Sequence, residues 1–319
     1  MIAPLVDWFV YSLLRLDPQA HLTGVVHFFI YDTLKIMALL FFMISFLGFL
    51  RSFLDHKRIK SWLSRNQLLA SFYAAAFGAI TPFCSCSSIP IFLSFVKMGI
   101  PLGVMFAFLI TSPMINEYLV VLMWAFFGWK ITVLYVVSGM AIGIGCGLIL
   151  GRLKLERYLE RDLLLQEDKG EDERVFASLG ARVAFGASEA VAILKRLWVW
   201  IMVGVALGAW IHNYIPQDVI HGAIDKAGPF SVPIAVGLGV PMYGSCAAIV
   251  PIAVALFRKG VPLGTALAFM MATSALSLPE AVILRRAMKL KLIVIFFAIT
   301  TLGIIFTGYL FNMLQEILV

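Results

Sequence analysis

Long apolar runs separated by short interruptions organise this chain, at approximately 28–50, 67–97, 100–128, 130–151, 197–215, 230–257, 261–284 and 292–314. A helix needs about 20 apolar residues to cross the hydrocarbon core of a bilayer, so the runs predict an all-α polytopic transmembrane helical protein. The one long polar stretch, 152–196, carries nine Lys/Arg and nine Asp/Glu. It divides the runs into two sets of four and reads as helical at its ends with a solvated middle. Four regions follow: an interfacial N-terminal segment 1–27, a first transmembrane repeat 28–151, a charged cytoplasmic linker 152–196 and a second transmembrane repeat 197–319. The opening segment places Trp8, Phe9, Tyr11 and Leu13 among Asp7, Arg15 and Asp17. That mixture suits a helix lying in the membrane interface and lacks the basic start and small-residue cleavage site of a signal peptide.

The two halves repeat one another. Lys97-Met98-Gly99-Ile100-Pro101-Leu102-Gly103, followed by Ala107-Phe108, matches Arg258-Lys259-Gly260-Val261-Pro262-Leu263-Gly264, followed at the same spacing by Ala268-Phe269. Upstream, Ser85-Cys86-Ser87-Ser88-Ile89-Pro90 pairs with Ser245-Cys246-Ala247-Ala248-Ile249-Val250-Pro251 if one extra residue is allowed. Downstream, Thr111-Ser112 pairs with Thr273-Ser274 and Glu117 with Glu280. Internal repeats of this kind are common in transporter folds.

Charge orients the halves. Loop 51–66 holds Arg51, Lys57, Arg58, Lys60 and Arg65, whereas its counterpart 212–230 holds Lys226 beside Asp218 and Asp225. Segment 285–291 holds Arg285, Arg286, Lys289 and Lys291, against Lys130 in the first half. Basic residues concentrate on the cytoplasmic side, so the alternation predicts two inverted-topology repeats with both termini outside. Loops 51–66 and 152–196 then share a side, which requires an even number of crossings between them. At least one of the segments 67–97 and 100–128 must double back, so discontinuous or re-entrant helices are expected.

Composition narrows the class further. The chain is 61% hydrophobic and 13% charged, with a net charge of +7 over 319 residues, roughly half the charged fraction of a soluble domain. Lipid is the partner for that apolar surface, and the inner cell membrane is the expected location. The basic residues sit at the ends of apolar runs, so the positive charge implies loop anchoring and no nucleic acid. The scattered histidines and the absence of a phosphate-binding glycine loop or a Ser-His-Asp arrangement argue against an enzyme, a metal site or a cofactor.

Chemistry concentrates where the apolar runs break. Thr81-Pro82-Phe83-Cys84-Ser85-Cys86-Ser87-Ser88-Ile89-Pro90 interrupts one run, and Gly237-Leu238-Gly239-Val240-Pro241-Met242-Tyr243-Gly244-Ser245-Cys246 interrupts its counterpart. Pro90 removes a backbone donor, and Pro82 disfavours a helical Thr81. Unwound backbone at membrane depth is tolerated only inside protein or along a cavity, and a half-helix starting there aims its N-terminal dipole at that cavity. Either a proline kink packed by small residues or a binding site accounts for one break; two matched breaks favour a site. Cys84, Cys86 and Cys246 offer thiols for a soft, thiophilic solute, with Ser85, Ser87, Ser245, Thr111, Ser112 and Asn116 as polar neighbours, although a free cysteine is also a common buried apolar residue. Cys146, within Gly139-x3-Gly143-x3-Gly147, reads as structural. Glu117 and Glu280 are acids within or at the edge of apolar segments and are candidates for proton coupling, with a Glu280–Arg285 salt bridge as the competing reading.

The motif Thr81-Pro82-Phe83-Cys84-Ser85-Cys86-Ser87, followed by Gly99-Ile100-Pro101-Leu102-Gly103 and Thr111-Ser112-Pro113, resembles the ArsP/YraQ-type permeases. Gly260–Gly264 fits the same pattern, and the resemblance spans nearly the whole chain. It implies a permease whose best-understood relatives export trivalent organoarsenicals such as methylarsenite, with Cys84 and Cys86 as the metalloid-facing thiols. The expectation is therefore a membrane permease that exports a trivalent organoarsenical or related soft solute through a midplane site at the two broken helices. A proton arriving at Glu117 or Glu280 would release the solute and couple export to the proton gradient, and a homo-oligomer is compatible with the sequence. The alternative is a transmembrane thiol–disulfide relay between Cys86 and Cys246.

Overall fold

A computed structural model describes residues 2–13, 21–51, 66–81, 85–159, 178–214, 224, 227–242 and 246–318. They form helices and no strand, apart from one isolated bridge between Leu159 and Met288. α1 (Ile2–Asp7) and a π-helical turn (Trp8–Leu13) precede α2 (His21–Arg51). The first half continues with α3 (Gln67–Ile80), α4 (Ser85–Lys97), α5 (Leu102–Met114) and α6 (Glu117–Arg152). The second holds α7 (Leu179–Tyr214), α8 (Ser231–Gly239), α9 (Cys246–Arg258), α10 (Leu263–Ala275), α11 (Leu278–Leu284) and α12 (Leu290–Leu318). Short 3-10 turns at Glu156–Tyr158 and Gly228–Phe230 complete the set. Among the described residues, four stretches are long and apolar enough to cross a membrane: Thr23–Phe46, Glu117–Arg152, Leu263–Leu284 and Leu290–Ile317. Bilayer-facing side chains such as Phe42, Phe46, Trp124, Trp129, Phe306 and Met313 are exposed along these helices, as a lipid environment requires.

One register relates the halves. α4 and α9 each have 13 residues with proline sixth, at Pro90 and Pro251, and α5 and α10 each have 13 residues beginning one position after a proline. A constant offset of 161, from the pairs 85/246, 102/263 and 114/275, carries one set onto the other. The inserted residue expected before Pro251 is therefore not needed. Both connecting turns are built alike. Gly99 and Gly260 adopt positive φ, 63° and 95°, while Ile100 N–H donates to Phe95 C=O and Val261 N–H to Leu256 C=O, each at 3.1 Å. This is the left-handed helix stop that favours glycine, and Pro101 or Pro262 then blocks its continuation. α6 is interrupted at Gly128 (φ 80°, ψ 171°), the position corresponding to Lys289 between α11 and α12. Residues 117–152 thus divide at Gly128 as α11 divides from α12.

Contacts between the halves are reciprocal. α4 touches α11 while α9 touches α6, their equivalents, and the matched pairs α2/α7, α5/α10 and α6/α12 each meet. Ile142 and Gly303, equivalent at the 161 offset, pack against one another. A two-fold relation between similar units produces this pattern.

The ends of the polar stretch are helical as expected: α6 reaches Arg152 and α7 begins at Leu179. Residues 160–177 lie outside the described residues. α7 buries its start against α2, where Gly186 stands so close to Ser45 and Phe49 that a side chain there would collide with backbone. The N-terminal segment docks on α2, burying Val6 and Val10 and pairing Asp7 Oδ1 with His27 Nε2 at 2.7 Å.

Candidate functional site

Each half has two interruptions that bracket its buried central helix. α3 ends at Thr81, whose N–H donates to Phe77 C=O at 3.1 Å, and α4 begins at Ser85. At about 1.5 Å per residue, α3 and α4 are roughly 21 and 20 Å long, short of the ~30 Å hydrocarbon thickness. Both arms meet the same stretch of α5. Phe77 and Phe95 each stack or edge onto Phe108, at 5.8 and 5.4 Å between ring centroids. A Cβ on Gly78 would sit 3.2 Å from Ser112 N, while Ser88 Oγ hydrogen-bonds Ser112 Oγ at 2.8 Å. Thirteen of thirteen residues in α5 are buried, and so are all thirteen of α10. These two helices form the centre of the molecule, and their polar residues cannot be serving water or lipid.

The second interruption of each half is a capped helix start. Asn116 Oδ1 accepts from Leu119 N–H at 2.8 Å to open α6, and Ser277 Oγ accepts from Glu280 N–H at 3.4 Å to open α11. Each cap satisfies a donor that the helix itself leaves orphaned. Leu278 N–H also donates to Val240 C=O at 3.1 Å. That bond joins the two interruptions of the second half directly.

This geometry corrects three pairings read from the sequence. Gly78 meets Phe108 and Ser112, and Gly239 meets Phe269 and Thr273 in the same way, so Ser112 corresponds to Thr273 and Thr111 to Ala272. Cap aligns with cap, so Glu117 corresponds to Leu278, and Glu280 to Leu119. The two glutamates are not counterparts: Glu117 is exposed at the first residue of α6, whereas Glu280 is 2% exposed in the first turn of α11. Finally, Cys246 occupies the first position of α9, equivalent to Ser85, and Cys86 the second position of α4, equivalent to Ala247. Cys86 and Cys246 therefore lack the symmetry-matched placement that the relay reading relied on. A matched loop motif misled here because small residues recur on both sides of each true match.

Of the expected site residues, Thr111 and Ser112 are fully buried on α5. Thr111 Oγ1 lies against Gly143 of α6, where a Cβ would collide with it, and finds no hydrogen-bond partner among the described residues. Ser274 Oγ of α10 is buried and likewise lacks a partner there. Ser85, Cys86, Ser87 and Cys246 are placed by backbone at the starts of the half-helices, and Cys84 and Ser245 lie outside the described residues. Cys146 is buried on α6, its Sγ 3.7 Å from Ile299 C=O, which agrees with a packing role. Among the described residues no cluster of three or more His, Cys, Asp or Glu side chains could hold a metal ion. Sequence reasoning missed Tyr135, a fully buried tyrosine whose hydroxyl donates to Met114 C=O at 3.1 Å, at the C-terminal end of α5. Its position in an apolar run of aromatics hid it, since only the fold shows which tyrosine turns inward.

Comparison with known proteins places the chain. Residues 21–313 match the family model ArsP_1, described as a predicted permease. The UPF0718 protein YcgR of Bacillus subtilis is 22% identical over 266 residues, covering 83% of this chain and 89% of the relative. The UPF0718 protein MJ0584 of Methanocaldococcus jannaschii is 22% identical over 355 aligned positions, covering 92% and 96%. A Streptococcus mutans protein provisionally named a two-component membrane permease complex subunit is 25% identical over 115 residues, covering 35% of this chain and 38% of the relative. No solved structure matches significantly. With the matched region taking in both halves and every interruption described above, the chain belongs to the ArsP_1 family of predicted permeases.

Proposed function

We propose that this membrane permease exports a trivalent organoarsenical, or a similarly soft solute, through a midplane site where the two half-helices α4 and α9 begin. The observation that carries the reading is the shared register. Two equivalent half-helices, too short to cross alone, each start in a cysteine-bearing break beside a fully buried central helix. Broken helices in repeated halves are where transporters bind their solutes. Thiolates at Cys84, Cys86 and Cys246 match the preference of a trivalent arsenical for sulfur. Because both arms of the first break reach Phe108 and Ser112, residues 67–97 form a re-entrant hairpin in this reading. The alternating loop charges make the two-fold axis lie in the membrane plane, so the repeats are inverted. Glu280, buried where α11 starts and linked to the break before α9 by the Leu278–Val240 bond, is the proton-coupling carboxylate. Glu117 is exposed and is not.

Everted membrane vesicles test the proposal. Methylarsenite should accumulate in vesicles carrying the wild-type protein, and the Cys84→Ser/Cys86→Ser variant should lose most of that uptake. Accumulation unchanged by the double substitution would remove the thiols from the mechanism.

A further inference from the structure

The equivalent helices α5 and α10 are held at their N-termini in different ways. Pro101 and Pro262 precede them without a side-chain cap; their carbonyls accept from Val104 and Thr265 N–H at 3.0 Å, and the N–H groups ahead of those need outside acceptors. In the second half, α12 supplies them. Gln315 Oε1 accepts from Leu263 N–H at 2.7 Å, and Asn312 Oδ1 shares the Thr265 N–H with Pro262 C=O, at 3.2 Å. Asn312 Nδ2 donates to Thr265 Oγ1 at 3.2 Å, and that hydroxyl meets Ser231 Oγ of α8 at 3.1 Å. Three helices are tied together at one end. At the 161 offset the first half has Gly151 for Asn312, Lys154 for Gln315, Val104 for Thr265 and Ala70 for Ser231. None of these can rebuild the network.

The first half substitutes bare backbone contact. A Cβ on Gly147 would lie 2.6 Å from Gly103 C=O, and one on Gly151 would lie 3.0 Å from Gly103 Cα. Glycine-on-glycine contact allows close approach by van der Waals packing alone. Such a surface has no directional bond to break when one helix shifts along the other. The second half keeps the same contact, Gly264 against Gly308, and adds the four polar ties. Among the described residues, the first half's polar ties onto α5, Tyr135 to Met114 and Ser88 to Ser112, hold its opposite, C-terminal end.

We propose that these differences make the two gates unequal. The N-terminal end of α10 is the fixed gate, and the N-terminal end of α5 is the mobile one that opens first in the transport cycle. The proposal rests on the permease reading for the word gate, but the difference in mobility is a property of the chain alone. Two-state elements that couple to binding are drawn from the less stable parts of a fold. In an inverted repeat these two ends face opposite sides of the membrane, so the cycle would begin with opening on the side of residues 98–102 while residues 260–264 stay closed.

Hydrogen exchange read by mass spectrometry on the full-length protein in lipid nanodiscs tests this without a substrate. The first turn of α10, residues 263–266, should exchange at least about tenfold more slowly than the first turn of α5, residues 102–105. Asn312→Ala with Gln315→Ala should remove the difference by accelerating 263–266 and leaving 102–105 unchanged. Asn312→Asp keeps an acceptor for Thr265 N–H, complements the helix dipole, and should preserve slow exchange. Equal exchange of the two turns in the wild type would overturn the proposal, and so would slow exchange that survives in the double variant. Should the double variant unfold globally, the wild-type comparison and Asn312→Asp still decide. Asymmetric exchange in a protein that fails to accumulate methylarsenite would overturn the solute assignment and leave this proposal standing.

Discussion

Two glycines on one helix should respond oppositely to the same substitution. At Gly147 an added methyl would lie 2.6 Å from Gly103 C=O and 2.9 Å from both Ala107 N and Ala107 Cβ. None of these atoms can rotate aside, so α5 and α6 must separate. Overpacking of this kind costs about 1–3 kcal/mol, offset by the roughly 1 kcal/mol that alanine gains over glycine within a helix. At Gly145 nothing lies within 4 Å, and Gly145→Ala keeps the propensity gain alone. The two variants should therefore differ by about 1–3 kcal/mol. At roughly 2–4 °C per kcal/mol for a chain of a few hundred residues, that is a gap of several degrees in apparent melting temperature. Detergent-solubilised protein heated in steps, with the remaining monomer measured by size-exclusion chromatography, gives the comparison. Both variants must share one heating protocol, because unfolding of such proteins is commonly irreversible. Equal melting of Gly147→Ala and Gly145→Ala would refute the close approach of α5 to α6, and with it the position of Thr111 against Gly143.

Tyr135→Phe should lower the melting temperature by a few degrees, since it removes the buried hydroxyl donor to Met114 C=O, worth about 0.5–1.5 kcal/mol; an unchanged melting curve would contradict that bond. In vesicles with an imposed pH gradient, Glu280→Gln should abolish the dependence of solute accumulation on the gradient, while Glu117→Gln keeps it. If the two variants behave alike, the separation of a buried from an exposed glutamate has no bearing on coupling.

Much of the architecture could be read before any coordinates. The repeated Gly-[Ile/Val]-Pro-Leu-Gly segment located both inter-helix turns because its chemistry is strict. Gly99 and Gly260 take a backbone conformation that other residues resist, and the proline that follows cannot continue the helix. Pro90, read as part of the first break, is instead the sixth residue of α4, which begins at Ser85. What the sequence obscured was register. Serine, alanine and cysteine are small and interchangeable in a membrane interior, so Thr111-Ser112 aligned with Thr273-Ser274 as readily as with the true match. The glutamates followed that error, and only the caps at Asn116 and Ser277 separated them. The break at Gly128 was legible as the gap between the apolar runs 100–128 and 130–151, and its positive φ, a conformation that favours glycine, interrupts the helix there. The Asn312–Gln315–Thr265 network was invisible because it depends on two helix ends meeting across 47 to 52 residues.

The central claim, that one solute is held between the two breaks, is most directly tested by mapping thiol protection. Membranes containing the wild-type protein are treated with a small maleimide, with and without methylarsenite, and the modification of each cysteine is quantified by peptide mass spectrometry. The account predicts that methylarsenite shields Cys84, Cys86 and Cys246 together, while Cys146, buried at the α6–α12 contact, responds to neither condition. Protection of none of the three, or of Cys84 and Cys86 while Cys246 reacts as before, would contradict a site shared by both halves.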